Sequence, residues 1–378
     1  MSLTQKLFTT QQHLETAESS GTLSPELQKL KVEFLSLLGT YRDRVHKIIE
    51  TGKLEDKEGT YAMAHKLQEL CEKVEKELEI VDMERLFHVK ENYEAQTNHY
   101  RELGWLEEED GKEGIRDKEG SFYPMPTVQE IFEELNKKAA LLQYKEKQSF
   151  KRFLLVPFGL SYIEMYKKLG EEYIRYREDP DLELYRTDKA KTRIMQDTDY
   201  GSFPDVMEEE DLLYYKEQQE KSELIKSQRF PAWEIHILPE KMTLAREGKG
   251  ETTGYRPEIE ANMKFGDYAK LVNGEIDRSD GKPIRDAEGQ LVYRGESGLT
   301  PESEIALAFV QLRENNQVLH DYYENPNDAA CVLSGCLTKS GDIPYSCFNP
   351  DYDLVFMYGG IPDDQDEDHG SCVSVKVC

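Results

Sequence analysis

Two evenly spaced apolar stripes near the start of the chain constrain its fold more than any other feature. Ser24 and Pro25 read as an N-cap followed by proline at the first helical position. Leu27, Leu30, Phe34, Leu37, Tyr41, Val45 and Ile48 then recur at intervals of three and four. That interval puts all of them on one side of an α-helix. After a polar, glycine-containing break at 51–59, the pattern returns in Ala64, Leu67, Cys71, Val74, Leu78 and Val81. Two such stripes bury each other most simply as an antiparallel helical hairpin or coiled coil, expected over residues 1–95. It would suit a stalk or a homo-oligomer contact.

The chain has 378 residues, room for more than one structural unit. Its net charge of −27, from 75 acidic against 48 basic residues, repels a phosphate backbone and argues against a nucleic-acid partner. The first residues run into polar helical sequence without an apolar h-region, and nowhere do 18 apolar residues stand together. No signal peptide and no membrane span are therefore expected. The default location is cytoplasmic, with surface display by a non-standard route as the open alternative.

From Gly104 to Pro126 the helical pattern dissolves into Gly- and Glu-rich turns, and a short helix follows at Thr127 to Tyr144, so 96–144 reads as a linker plus helix. From 145 onward, strand-like runs such as Phe153-Leu-Leu-Val-Pro and Trp233-Glu-Ile-His-Ile-Leu alternate with helices, which predicts an α+β domain over 145–378. Helices are expected at Met165 to Arg177 and at Pro301 to Tyr323, the second capped by Thr300 and presenting Ile305, Phe309, Leu312 and Leu319 on one face. Leu271 to Gly298 reads as turns around short strands.

Familiar catalytic patterns are incomplete. Gly248 to Gly254 lacks the Gly-Lys-Ser/Thr ending of a phosphate-binding loop, and Gly159-Leu-Ser161 lacks the second glycine of a nucleophile elbow. Asp364, Asp366 and Asp368 alternate like the start of an EF-hand loop, but His369 and Val375 occupy the positions that need Gly and Glu. His236 sits in an apolar strand and reads as a satisfied core residue. Of six cysteines, Cys71 is isolated, while Cys331, Cys336, Cys347, Cys372 and Cys378 lie near the C-terminus. Without a signal peptide they read as buried thiols. Cys331 and Cys336 have no further His or Cys pair at zinc spacing, so neither metal nor cofactor is expected.

The C-terminal stretch is compositionally distinct. Between Gly341 and Val375 there is no Lys or Arg, whereas eight acids and five large aromatics occur. Aromatics and short polar residues among Gly and Pro turns are the ingredients of a paratope.

The order Ser340-Gly-Asp-Ile-Pro-Tyr345, a mixed aromatic and polar tract, Gly360-Ile-Pro-Asp363, Gly370 and the closing Val373-Ser-Val-Lys-Val377 resembles the variable region of diversity-generating retroelement target proteins. Leu155-Val-Pro-Phe-Gly159, Phe265 to Leu271 and Gly298 to Glu302 are similar to upstream elements of the same domain. The resemblance implies a C-type lectin fold of the formylglycine-generating-enzyme-like (sulfatase-modifying-factor-like) type, with a variable binding region at about 341–377. In that family an error-prone reverse transcriptase randomises template adenines. Asn codons ending in a pyrimidine then never yield Lys, Glu, Gln, Met or Trp, a rule broken within 345–369 by Met357, Gln365 and Glu367. The closing segment departs from the family's usual ending, with Cys372, Ser374 and Lys376 at its first Arg, its Ala and its second Arg. The family's enzyme relatives use a cysteine pair for copper-dependent oxidation, and no pair stands at matching places here.

The resemblance implies a non-catalytic, receptor- or adhesin-like protein that binds an unidentified protein or cell-surface ligand. The acidic and aromatic tract favours a basic one. Its variable set is Tyr345, Cys347, Asn349, Asp351, Tyr352, Asp353, Phe356, Tyr358, Asp363, Asp364, Asp366, Asp368 and His369. Gly341, Pro344, Leu354, Gly360, Pro362, Gly370, Val373, Val375 and Val377 form the frame. A coiled-coil scaffold and an oxidase-like enzyme are the alternatives.

Overall fold

The computed structural model describes residues 3–19, 25–52, 56–179, 181–187, 193–194, 211–215, 218–240, 259, 262–272, 285, 289, 291–321, 329–349, 354–366 and 368–378. The chain divides into two units, Met1–Leu86 and Phe87–Cys378. Among the described residues no helix is long and apolar enough to cross a membrane.

Among its described residues the first unit holds three helices where the stripes predict two: α1 (Leu3–Ser19), α2 (Pro25–Thr51) and α3 (Lys57–Phe87). Leu7, Leu14 and Ala17 of α1 join Leu27, Leu30, Phe34 and Leu38 of α2 and Leu67, Leu70, Cys71 and Val74 of α3 in one core. The extra helix is faint in sequence because its apolar residues are sparse and set among Gln and Thr. The ion pair Lys6–Glu72, at 3.1 Å, ties α1 to α3 at the surface. Helix α3 ends at Phe87, and His88, with a left-handed φ of 48°, is the N-cap of α4 (Val89–Glu102).

In the second unit, the stretch read as linker is ordered. It forms a three-stranded antiparallel sheet of β1 (Glu107–Glu109), β2 (Lys112–Arg116) and β3 (Phe122–Pro124). The single helix expected next is two, α5 (Val128–Lys137) and α6 (Ala139–Glu146), parted at Lys138. Thr127 and Glu130 close a capping box on α5.

The remaining elements are β4 (Phe150–Val156), α7 (Tyr162–Glu178), β5 (Leu212–Tyr214), α8 (Lys221–Ser227), β6 (Glu234–Pro239), α9 (Phe265–Val272), β7 (Ser297–Gly298), α10 (Pro301–Asn315), β8 (Ala330–Val332), β9 (Cys336–Thr338), β10 (Ile343–Asn349), β11 (Leu354–Gly360), β12 (His369–Gly370) and β13 (Val373–Lys376). The protein is thus mixed α+β, with helices at the N-terminus and sheets toward the C-terminus. Helix α10 is shorter than expected. Thr300 and Ser303 cap its start, and Asn316, in the left-handed conformation, stops it.

Two four-stranded sheets dominate. One runs β4-β6-β13-β7 and is antiparallel throughout, so the last strand inserts between two much earlier ones. Its edge strand β4 is covered by α4. The Gln96 amide accepts from Leu155 N–H at 2.8 Å and donates to the Phe153 carbonyl at 2.9 Å, while the Tyr100 hydroxyl donates to the Leu155 carbonyl. These bonds satisfy backbone groups that an open edge would offer to another chain. The other sheet runs β11-β10-β8-β12, with β12 parallel to β8. Helix α10 packs against both α7 and β4, and eleven of its fifteen residues are buried.

A charged cluster lies inside the first of these sheets. Glu234, wholly buried, accepts from Lys376 at 2.7 Å and meets His236 at 3.0 Å, and His236 bonds the Ser374 hydroxyl at 2.7 Å. His236 is therefore a satisfied core residue. Burial pushes the Glu234 carboxyl up, but the Lys376 charge and the His236 hydrogen bond outweigh it and hold it at about 2.

Candidate functional site

Strands β10 and β11 pair in register, Tyr345 opposite Tyr358 and Cys347 opposite Phe356. Directly opposed residues in an antiparallel pair share a face, and residues two apart share it too. On one face, Ser346, Phe348, Val355 and Met357 are buried. On the other, Tyr358 is 41% exposed and Tyr345 and Phe356 are half-buried. The alternation gives the hairpin a core side and an aromatic outer side.

The outer aromatics form a continuous group. Phe356 stacks on Tyr358 with centroids 5.5 Å apart, and Tyr358 lies 6.1 Å from Tyr345. Behind Tyr345 stand Phe265 of α9 and His369, at 5.7 and 4.6 Å. Partial burial raises the Tyr345 phenol above its usual range, and neighbouring acidic groups, including Asp364 and Asp366, add to the shift. The ring stays neutral and can donate a hydrogen bond.

The segment after β11 carries Asp363, Asp364 and Asp366, all exposed, beside Ile361 at 59% exposure. Their carboxylates serve the local chain. Asp364 accepts from Ile361 N–H at 3.3 Å, Asp366 accepts from Asp368 N–H at 3.0 Å, and Asp363 pairs with Lys264 at 3.0 Å, which holds its carboxyl below the usual range. The loop is anchored from beneath: Tyr268 donates to the His369 carbonyl at 2.7 Å, and Gly360 sits where a Cβ would lie 2.1 Å from the Phe265 ring.

Two residues expected in the exposed set are inside. Cys347 is 3% exposed, and burial raises its thiol. His369 is 9% exposed, held between Phe265 and Tyr345. Its strand β12 pairs with β8, so it frames the face from within. Asp368 is half-buried. Asp351, Tyr352 and Asp353 lie outside the described residues, as does the side chain of Asn349. In the frame, Pro344, Gly360, Gly370, Val373, Val375 and Val377 are buried, whereas Pro362 is exposed.

Gly248 to Gly254 also falls outside the described residues. Ser161 starts α7 without making a side-chain cap bond. Cys331 and Cys336 do not act as a pair. Cys336 points its thiol at the Leu333 carbonyl, 3.6 Å away, and burial next to Glu302 raises it well above its usual range. Cys331 instead meets His320 and Cys372 in a buried group. Burial pushes the Cys331 thiol up, but the Cys372 hydrogen bond and the His320 charge more than offset it and leave it lowered. Sequence spacing gave no sign of this group, because its members come from three separate segments.

No protein-family model matches the chain, and neither does any curated protein or solved structure.

Proposed function

We propose that the chain is a ligand-binding, non-catalytic protein whose β10–β11 face and following acidic loop form a diversified binding surface on a C-type-lectin-type scaffold. The observation that carries this reading is the alternation along β10 and β11. It turns Tyr345, Phe356 and Tyr358 outward and leaves Ser346, Phe348, Val355 and Met357 to hold the core. A surface selected to vary needs that separation, since side chains that change must not also pack the interior. The antiparallel sheet in which β13 joins β4 and β6, with α7 and α10 nearby, is compatible with the lectin-type scaffold.

The ligand class follows from the chemistry of the face. Large aromatics bury area at low entropic cost, and the neighbouring carboxylates attract and orient a cation. The partner is a basic protein or cell-surface epitope rich in Arg or Lys. Arrays of Arg- and Lys-rich peptides and proteins, probed with the whole chain and with Phe356→Ala and Tyr358→Ala, test it. Binding that weakens at least tenfold in the variants and falls with added salt supports the reading. Binding indifferent to both variants would overturn it. The diversification itself is tested in the genome, as a near-repeat of the codons for 340–377 beside a reverse transcriptase gene, differing mainly at adenines.

A scaffold role for the helical unit has one observation in its favour, the outward Phe8, Val32, Ile49 and Tyr61, which are 59 to 73% exposed. Partner binding that survives deletion of residues 340–378 would select it.

A further inference from the structure

His320, Cys331 and Cys372 come from the segment after α10, from β8 and from the residue before β13. All are buried, at 0, 0 and 6% exposure. Their donor atoms lie within 4.8 Å of one another. His320 Nε2 is 3.7 Å from Cys372 Sγ. An ion about 2.3 Å from sulfur and about 2.0–2.1 Å from an imidazole nitrogen, at tetrahedral or trigonal angles, sets those two atoms roughly 3.5–3.8 Å apart. The observed separation already has that value.

A thiol hydrogen-bonded to an imidazole would span a similar distance, but it needs only two groups. Here a third donor converges, and a carboxyl stands by. Glu304 is 1% exposed and interacts electrostatically with both His320 and Cys331. One of its oxygens accepts from Ser346, and the other, Oε2, is buried without a hydrogen-bond partner. An orphaned buried carboxyl oxygen costs free energy unless something bonds it.

We propose that His320, Cys331 and Cys372 form a buried transition-metal site for a divalent, thiophilic ion of the zinc type. Calcium and magnesium are poor fits, since they take oxygen ligands. The choice among soft ions follows from charge. Two thiolates and a neutral imidazole cancel a divalent cation, whereas a monovalent ion would leave net negative charge in a buried site. On binding, the two thiols release their protons to solvent and no electron moves. The ion would link β8 of one four-stranded sheet to the start of β13 in the other, which makes it a structural brace.

The test uses the full chain. After purification with zinc and exhaustive dialysis, elemental analysis is expected to find roughly one ion per chain. Cobalt substitution is expected to give the near-ultraviolet thiolate-to-cobalt charge-transfer band. Cys331→Ser, Cys372→Ser and His320→Asn should each weaken cobalt binding about 100-fold or more. Asparagine is chosen because position 320 has a φ of 54°, which Asn tolerates. Cys336→Ser and Cys347→Ser should keep both the stoichiometry and the band. Should the ligand variants fail to fold, the wild-type cobalt spectrum and a fall in Tm on chelation still decide. Folded wild-type protein without retained metal or a cobalt band would overturn the site. So would a native Cys331–Cys372 disulfide indifferent to metal, or loss of the band in Cys336→Ser.

Discussion

The ring of Phe356 lies nearly flat on that of Tyr358, with 15° between their planes, although Tyr358 is 41% open to solvent. A stacked pair on an outer face adds about 0.5–1.5 kcal/mol at most. Asp366→Ala is expected to change stability by no more than about 0.5 kcal/mol, and Tyr358→Ala by no more than about 1.5 kcal/mol, loss of the stack included. Val375→Ala, at a wholly buried position of β13, should cost about 1–3 kcal/mol. Thermal melts of the three variants check this, and a loss of Val375 size in the two surface variants would place them in the core.

Gly360→Ala is expected to destabilise by about 1–3 kcal/mol, because the new methyl would meet the Phe265 ring and force it to move. Phe265 also backs Tyr345 and His369, so the displacement should reach the aromatic outer face of β10 and β11. Urea unfolding reads the stability change, and near-ultraviolet circular dichroism reads the aromatic rearrangement.

Glu234 makes stability sensitive to acid. Its carboxyl titrates at about 2 in the folded chain against about 4.5 when unfolded, so the unfolded state binds the proton first as pH falls. The contribution is complete above about pH 4.5, is lost progressively as pH falls toward 2, and amounts to about 3 kcal/mol. Lys376→Met, which leaves Glu234 buried without its cation, should cost about 3–5 kcal/mol at neutral pH. Denaturant midpoints from pH 7 to pH 2 are expected to fall mainly below pH 4.5 in the wild type.

Within the helical unit, Phe34→Ala should cost about 3–5 kcal/mol, since Phe34 is fully enclosed by the three helices. Phe8→Ala, at 59% exposure, should fall within about 0.5 kcal/mol of wild type. Parallel melts separate the two.

The stripe of Leu27, Leu30 and Phe34 was legible because helical periodicity is a local signal, and so was the cap at Thr300, where Pro301 follows it. Helix α1 was not, because its few apolar residues gain meaning only once two other helices surround them. The ordering of 107–124 was hidden for a related reason. Glu- and Gly-rich strands such as β1 and β2 are specified by their cross-strand partners and not by their own composition. On the candidate face, the aromatic and acidic content was visible, but which residues point outward depends on register. Cys347 and Phe356 oppose each other on the same side, yet only the larger ring reaches solvent. The meeting of His320, Cys331 and Cys372 depends on tertiary closure and has no local trace at all.

The position of β13 between β6 and β7 places the proposed variable tract under a condition of reading frame. Residues 345–369 precede the strand that completes the sheet, and Lys376 on that strand neutralises Glu234 on β6. A premature stop or frameshift anywhere in the tract removes both the strand and the counter-charge, leaving β6 with an unpaired edge and a buried carboxylate. A coding error in that tract therefore shows itself as a folding defect, because the strand and the counter-charge that complete the sheet are encoded after it.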